Sequence, residues 1–214
     1  FVESVVFEKY VDIITKRVES MSSGIDESME IGSMIMEPNC NKVKEYIDDI
    51  VDKDKIISGH SIDHKMYIAP TLVVNPPDDS KLVNQETFGP VICIRSFNTQ
   101  DELLEMVHKT GYGLAGSIFG RNKKRIKKLL RELKIGNVSI NDVFTHYGIA
   151  SLPFGGEGLS GVGRLHGYEG LRALCRTKSV LENRFRFLPD PWWFGYSKRF
   201  ERILNSFLKY YYRF

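Results

Sequence analysis

Cysteine is scarce in this sequence and none of it is closely paired. Cys40, Cys93 and Cys175 are an odd number at wide spacings, without a Cys-x-x-Cys pair. We therefore expect no disulfide framework, and an intracellular protein that is cytoplasmic or on the cytoplasmic face of an internal membrane. Only His60 and His64 share a helical spacing, and no third ligand lies nearby in the sequence, so we expect no metal site.

Long hydrophobic runs and excess charge are also missing. No uninterrupted apolar run of about 18 residues exists, which excludes an ordinary membrane-spanning helix. The net charge of +3 is too small to indicate a nucleic-acid partner. The 42% hydrophobic and 27% charged residues are typical of a globular protein and exclude wholesale disorder. Because the first residue is Phe1 and not Met, we expect a fragment or a processed chain.

Helix-like and strand-like segments alternate along the chain. Helical spacing of apolar residues predicts helices at residues 4–20, 42–54, 99–110, 123–134 and 167–175. Short apolar runs predict strands at residues 66–75, 91–97, 114–119, 138–141 and 178–181. The alternation is typical of βαβ units, so we expect an α/β fold with a mostly parallel sheet and flanking helices.

The composition changes near Asn183. Residues 183–214 hold seven Lys or Arg and two acids, a net charge of +5 that leaves −2 for residues 1–182. We therefore expect two units, 1–182 and 183–214. Within the second, Tyr196 to Phe214 has apolar residues on one helical stripe and basic residues on much of the rest, which predicts an amphipathic helix on a membrane surface. Trp192 and Trp193 precede it as candidate interfacial anchors. The alternative is that the stripe docks on the protein's own body or on a partner subunit.

Two further motifs have bland and functional interpretations. The run from Gly156 to Gly161 matches Gly-x-Gly-x-x-Gly, but no strand leads into it, which disfavours a dinucleotide fingerprint and favours a tight backbone loop with Phe154 projecting. The basic segment from Arg121 to Lys134 has eight Lys or Arg and one Glu without an interleaved aromatic residue. We interpret it as the solvated face of a crossover helix and expect no nucleic-acid partner.

The carboxylate of Glu86 and the ring of Phe88 lie two residues apart in an extended segment and so share one face. Such a pair could hydrogen-bond a ribose and stack on a planar ring. On its own this signal is weak.

In combination, six ordered motifs make the chain resemble the aldehyde dehydrogenase superfamily over essentially residues 1–182. The motifs are residues 86–90 (ETFGP), 113–119 (GLAGSIF), 136–142 (GNVSIND), 152–156 (LPFGG), 160–164 (SGVGR) and 178–180 (KSV). Residues 169–172 (EGLR) resemble the membrane-associated branches more than the soluble tetrameric ones. The resemblance implies oxidation of an aldehyde substrate to a carboxylic acid with NAD or NADP, in a homo-oligomer.

Residue roles follow from the same resemblance. Glu86 corresponds to the acid that hydrogen-bonds the nicotinamide ribose, and Phe88 to the aromatic residue packed against it. Phe154 corresponds to an aromatic residue lining the aldehyde tunnel, and Asn141 to a structural asparagine that turns the chain. The resemblance also implies that the nucleophilic cysteine and the glutamate base lie upstream of Phe1. The alternative to an enzyme whose first half is missing is a non-catalytic, membrane-associated or scaffolding remnant.

Overall fold

The computed structural model describes residues 1–62, 64–184 and 197–212. The chain divides into two compact units, Phe1–Leu174 and Cys175–Phe214. The boundary expected at residues 182 and 183 stays a prediction. Among the described residues, no helix is both long and apolar enough to cross a bilayer.

The first unit alternates strands and helices. Its strands are β1 (Val2–Glu3), β2 (Ile56–Ser58), β3 (Thr71–Val74), β4 (Val91–Ile94), β5 (Ser96–Phe97), β6 (Ala115–Ile118) and β7 (Asn137–Ile140). Its α-helices are α1 (Ser4–Ser20), α2 (Glu37–Asp48), α3 (Lys81–Asn84), α4 (Gln100–Lys109), α5 (Lys123–Glu132) and α6 (Gly167–Ala173). Short 3₁₀ turns span Lys53–Lys55 and Thr145–Gly148.

Strand pairing is mostly parallel, as the sequence predicts. The pairs β1–β5, β3–β4 and β6–β7 are parallel, and β2 lies antiparallel to β3. The order is β2-β3-β4 in the largest sheet, and the other two sheets have two strands each. Helix α5 connects β6 to its parallel partner β7, which makes a βαβ unit.

The core forms on both faces of β3. Leu72 packs with Phe7 and Val18 of α1 on one face. Val73 packs with Tyr46 and Ile50 on the other face. Successive side chains of a strand point to opposite sides, so Leu72 and Val73 face different halves of the core, and both are fully buried. The central strand of this sheet is therefore covered by a helix on each face.

Several helix predictions agree with the structure. The predicted bounds of α1 are the observed ones. Helix α4 begins after Thr99, whose hydroxyl accepts from the N–H of Glu102. The Glu102 carboxylate accepts in return from the N–H of Asn98, so the predicted capping interaction forms. Helix α2 lies earlier than predicted, since it begins with Glu37-Pro38, and proline is favoured in a first helical turn.

Three strand predictions need correction. The predicted strand 66–75 is reduced to β3, which follows Pro70. The run 91–97 splits into β4 and β5, and β4 is only partly buried because it is an edge strand. Residues 178–181 form no strand. Val180 and Leu181 are 81% and 98% exposed, and within the described chain no strand pairs with them to stabilise an extended segment.

The second unit contains one described helix, α7 (Lys198–Tyr212), inside the segment predicted to be helical. Apart from half-buried Phe200, its large apolar side chains are exposed, from 40% for Leu208 to 82% for Tyr210. Lys198, Arg202 and Lys209 lie on the opposite side of the helix. The amphipathic pattern is therefore confirmed. Trp192, Trp193, Tyr196 and the last two residues, 213–214, lie outside the described residues.

Candidate functional site

A large cleft opens in the first unit between two unpaired strand edges. Its volume is about 1460 Å³, and its lining includes both residues of β1 and all of β6. Strand β1 pairs only with β5, and β6 only with β7, so each keeps one edge without a described partner. Apolar side chains of α5, among them Ile126 and Leu129, face the same cleft. The cleft therefore offers backbone hydrogen-bonding groups along two sides and an apolar wall.

Glu86 and Phe88 lie on the loop between α3 and β4. Glu86 lines the cleft, whereas Phe88 lies outside its lining and is 66% exposed. Within the described residues, the Glu86 carboxylate has no hydrogen-bonding or ionic partner. Both side chains are thus accessible to a ligand at the surface, and the Glu86 carboxylate can accept hydrogen bonds from hydroxyl groups. Their assignment to the cofactor stays a prediction.

The glycine-rich loop packs by its backbone against the start of β7. The Nδ2 of Asn137 donates to the carbonyl oxygens of Leu114 and Gly155 at 2.7 and 2.8 Å. A side chain on Gly136 would place its Cβ only 1.8 Å from the Gly155 oxygen, so only glycine allows this approach. No strand leads directly into the loop. The structure therefore supports a tight backbone loop and not a dinucleotide fingerprint.

Arg164 closes the loop from its far end. Its guanidinium donates to the carbonyl oxygens of Gly156 and Gly163 at 2.7 and 3.0 Å and forms an ion pair with Glu157. Phe154 and Leu165 exchange two backbone hydrogen bonds across the loop, at 2.7 and 2.6 Å. These contacts fix the position of Phe154.

Phe154 lies in a cluster of aromatic and imidazole rings, which we call the aromatic cluster. It contains Phe144, His146, Tyr147, Phe154 and His166. The Phe154 ring stacks on His146, with centroids 5.8 Å apart, and meets the edge of Tyr147 at 5.0 Å. The cluster is separate from the cleft, because none of its members lines the cleft. Phe154 and Glu86 are therefore not brought into one cavity within the described residues.

Two histidines of the aromatic cluster keep buried nitrogens without partners. The Nδ1 of His146 pairs with the Ser139 hydroxyl at 2.8 Å, and its Nε2 is buried without a described hydrogen bond. The Nδ1 of His166 is likewise buried without a described hydrogen bond. His166 also adopts φ 59°, a left-handed conformation that is strained for a residue with a side chain. Strain and unpaired polar atoms are characteristic of functional sites.

Sequence reasoning identified Phe154 but missed the four rings around it. The signal is a run of three rings within four residues, Phe144, His146 and Tyr147, directly after β7. Asp142 shapes this run, because its carboxylate accepts from the N–H groups of Phe144 and Thr145 at 3.0 and 2.9 Å. Hydrogen bonds from the Thr145 hydroxyl and backbone lower the pKa of Asp142.

Asn141 has the structural role expected of it. Its φ of 53° reverses the chain after β7. Its side chain exchanges two hydrogen bonds with Gly120 beyond β6, as an acceptor at 2.8 Å and a donor at 3.0 Å. The loops after the two parallel strands are thereby joined.

Neither Cys40 nor Cys93 has the surroundings of an activated nucleophile. Cys40 is fully buried and its thiol donates to the Lys65 carbonyl oxygen. Burial raises the pKa of Cys93 to about 11, which disfavours the thiolate. Cys175 is exposed and follows the end of α6. Within the described residues, no three His, Cys, Asp or Glu side chains cluster as metal ligands would.

Comparison with known proteins places these features in a family. Residues 1–180 match the sequence profile of the aldehyde dehydrogenase family. The chain is 28% identical over 212 residues to a 4,4'-diapolycopene aldehyde oxidase of Methylomonas, covering 99% of this chain and 40% of that protein. It is 33% identical to the dimeric NADP-preferring aldehyde dehydrogenase of Rattus norvegicus, covering 77% of this chain and 38% of that protein.

The fold leads to the same group. A crystal structure of betaine aldehyde dehydrogenase from Staphylococcus aureus in complex with NAD+ superposes with a TM-score of 0.77 at 26% identity, covering 91% of this chain and 41% of that one. The chain thus spans about two fifths of the length of the relatives it matches. With its α/β fold of parallel strand pairs and a family match over 180 residues, the chain belongs to the aldehyde dehydrogenase family.

Proposed function

We propose that this chain is part of a longer aldehyde dehydrogenase that oxidises an aldehyde to a carboxylic acid with NAD or NADP. The match of residues 1–180 to the family is the observation that carries the proposal. Its relatives support both cofactors, since one is NADP-preferring and another is solved with NAD+. We extend to this chain the oligomeric state named for the dimeric relative, and we place the enzyme inside the cell.

Glu86 and Phe88 are the residues proposed to hold the cofactor. The unpaired, accessible carboxylate of Glu86 accepts hydrogen bonds from the ribose hydroxyls next to the nicotinamide. The exposed Phe88 ring packs against that ribose. The nicotinamide, when bound, supplies a hydride acceptor. The contribution of this chain is to orient it.

Phe154 is proposed to contact the aldehyde. Its ring is held by the glycine-rich loop and by the stacked His146 ring, so its position is fixed before a substrate arrives. An aromatic wall contributes apolar contact with little loss of side-chain freedom. We propose that the aromatic cluster forms part of the substrate tunnel.

The chain itself supplies no nucleophile in this proposal. The thiol of Cys40 is buried, Cys93 is partly buried, and the raised pKa of Cys93 opposes ionisation. We propose that the reactive cysteine and the glutamate base belong to polypeptide upstream of Phe1. The cleft supports this, because two unpaired strand edges facing one cavity accommodate a further strand of the same enzyme.

Activity assays test the proposal. The intact protein and the isolated 214 residues are each given a short and a long aldehyde with NAD and with NADP, and reduced cofactor is measured by absorbance. We expect aldehyde-dependent reduction by the intact protein only. Turnover by the isolated chain that disappears in Cys93→Ser or Cys40→Ser contradicts the proposal. An intact protein without activity on any aldehyde favours the non-catalytic remnant.

We also propose that α7 lies on a membrane surface, in either the enzyme or the remnant. Its exposed side chains Ile203, Leu204 and Phe207 form an apolar stripe opposite a basic side. Such a helix buries its apolar face at the headgroup boundary while its cations meet anionic lipids. Docking on a partner subunit is the competing explanation for the same stripe.

Vesicle flotation separates these explanations. Leu204→Gln combined with Phe207→Gln removes two apolar side chains, and Asn205→Gln combined with Ser206→Gln is a control on the polar side. We expect the first variant to lose flotation and the control to keep it. If both float like the unmodified protein, the membrane contact is wrong. A change of oligomeric state in the first variant without any change in flotation assigns the stripe to a subunit interface.

A further inference from the structure

Helix α5 carries a face of cations that the proposed enzyme does not use. The face, called the cationic face, consists of Lys123, Lys124, Lys127, Lys128 and Arg131. Positions three and four apart lie next to one another on a helix, so these five residues cover one continuous side. All five are exposed, and no acidic residue lies among them.

The orientation of α5 keeps this face in solvent. Ile126 is buried, and Ile126 and Leu129 point into the cleft. Arg125, on the flank, forms an ion pair with Glu3 of β1. The single acid of the helix, Glu132, accepts from Gln100 of α4 at 2.9 Å. The apolar side and both flanking charges thus fix the helix with the cationic face outward.

No member of the cationic face has an ion-pair partner among the residues the structure describes. Five like charges on a helix of ten residues, about 15 Å long, repel one another. An isolated exposed lysine needs no explanation, but a dense row without any compensating carboxylate does. Its electrostatic complement is an extended negative surface.

We propose that the cationic face of α5 binds the anionic headgroups of a lipid membrane. The face contains no aromatic side chain for stacking on bases, which disfavours single-stranded nucleic acid. The same chain exposes an apolar stripe on α7, and lipid but not nucleic acid buries such a stripe. The inference adds a second contact to the membrane association proposed for α7 and rests on that association.

Two membrane contacts hold the protein on a bilayer more tightly than one. A single weak anchor gives only reversible binding, and a polybasic surface is a second signal that stabilises it. Each Lys or Arg close to an anionic leaflet improves partition by about fivefold, and the effect extends over about one Debye length. The cationic face therefore makes binding depend on anionic lipid and on salt, whereas the apolar stripe of α7 depends on neither to the same degree.

The test measures partition of the intact protein onto phosphatidylcholine vesicles with and without phosphatidylserine. Lys124→Gln combined with Lys128→Gln neutralises two members of the face and keeps good helix formers. Lys9→Gln combined with Lys16→Gln removes two exposed lysines of α1 and is the matched control. Circular dichroism verifies that both variants are folded.

We expect the α5 variant to bind phosphatidylserine vesicles roughly ten- to thirtyfold more weakly and phosphatidylcholine vesicles unchanged. The α1 control changes by less than about twofold on either. Equal partition of the α5 variant and the unmodified protein overturns the inference, as does an equal loss in the control. Tighter binding to duplex DNA than to vesicles at the same salt, lost in the α5 variant, also overturns it and assigns the face to a nucleic acid. The Leu204→Gln and Phe207→Gln variant tests α7 separately, so either contact can fail alone.

Discussion

The side-chain Nδ2 of Asn137 lies 2.8 Å from the carbonyl oxygen of Gly155, and this hydrogen bond joins β7 to the glycine-rich loop that carries Phe154. The same nitrogen donates to the carbonyl oxygen of Leu114, the residue before β6. One buried side chain therefore connects two strands and the loop, at a point where the glycine backbones are too close for any other side chain to fit.

Replacing Asn137 by Ala should lower the free energy of unfolding by about 1–3 kcal/mol. The reason is that two carbonyl oxygens in a buried region lose their donor. Urea denaturation measures the change. Asn41→Ala, at an exposed position of α2, is the control and should shift the free energy by less than about 0.5 kcal/mol. Equal stability of the two variants would show that the Asn137 contacts contribute nothing.

In the intact enzyme, Phe154→Leu should raise the KM for an aromatic aldehyde by about three- to tenfold and leave the KM for NAD or NADP unchanged. The expectation follows from the loss of ring contacts worth about 0.5–1.5 kcal/mol. Tyr168→Leu removes an exposed ring outside the aromatic cluster and serves as the control. A shift in the cofactor KM instead would show that Phe154 belongs to the cofactor site.

Glu86→Gln and Phe88→Ala should each slow hydride transfer more than they weaken aldehyde binding. Both side chains are proposed to orient the nicotinamide, and small misplacement of a reacting group costs rate. Single-turnover formation of reduced cofactor measures the step. Glu105→Gln, at an exposed position of α4, provides the control. Rates that match the unmodified enzyme in both variants would remove these residues from the cofactor site.

The three thiols should react with iodoacetamide in a fixed order. Exposed Cys175 reacts first, and buried Cys40 and partly buried Cys93 react more slowly. Because the pKa of Cys93 is raised to about 11, roughly one molecule in a thousand carries its thiolate at pH 8. Its reactivity should rise with pH up to that value and become ordinary after denaturation. Peptide mass spectrometry measures each site, and rapid native labelling of Cys93 at neutral pH would contradict the assignment.

The carboxyl group of Asp78 should make the free energy of unfolding depend on pH. A hydrogen bond from Lys109 and the charge of Arg95 lower its pKa below the ordinary 3.8, so the folded state favours the carboxylate. Its contribution is complete above that ordinary value and disappears as the pH falls through the lower folded value. Asp78→Asn should therefore cost about 0.5–1 kcal/mol at pH 7, and this cost should shrink as the pH falls below the ordinary value.

Thermal unfolding of the Asp78→Asn variant is measured between pH 7 and acid pH. Asp79→Asn, at the exposed neighbouring position, is the control. A cost that is independent of pH would show that the two ion pairs contribute nothing.

Local patterns predicted local structure well. The apolar spacing gave the bounds of α1, and the hydroxyl and carboxylate at Thr99 and Glu102 gave the start of α4. Sequence patterns gave wrong predictions where strand pairing and burial depend on residues that are distant in the sequence. The apolar run containing Val180 predicts a strand, but no described strand pairs with it. Similarly, the edge position of β4 leaves Ile92 53% exposed despite its apolar surroundings in sequence.

The candidate site shows the same division. Glu86, Phe88 and Phe154 were identified through a family resemblance. Their exposure and their contacts are known only from the structure. The aromatic cluster gathers His166 beside Tyr147 and Phe154, which are distant from it in the sequence, so no local period encodes the contact. Likewise, the backbone approach of Gly136 to Gly155 appears in the sequence only as glycines in two separate motifs.

The pairing of β1 with β5 has a consequence for biosynthesis. Val2 lies beside Ser96, and the hydroxyl of Ser4 donates to the carbonyl oxygen of Phe97, so the contact spans 93 residues. At about 5–20 residues per second, a ribosome needs roughly 5–20 s to synthesise the partner strand. During that time β1 lacks its partner β5, and α1 lacks part of its support. High contact order of this kind slows folding and makes the early chain depend on protection from aggregation until Phe97 has emerged.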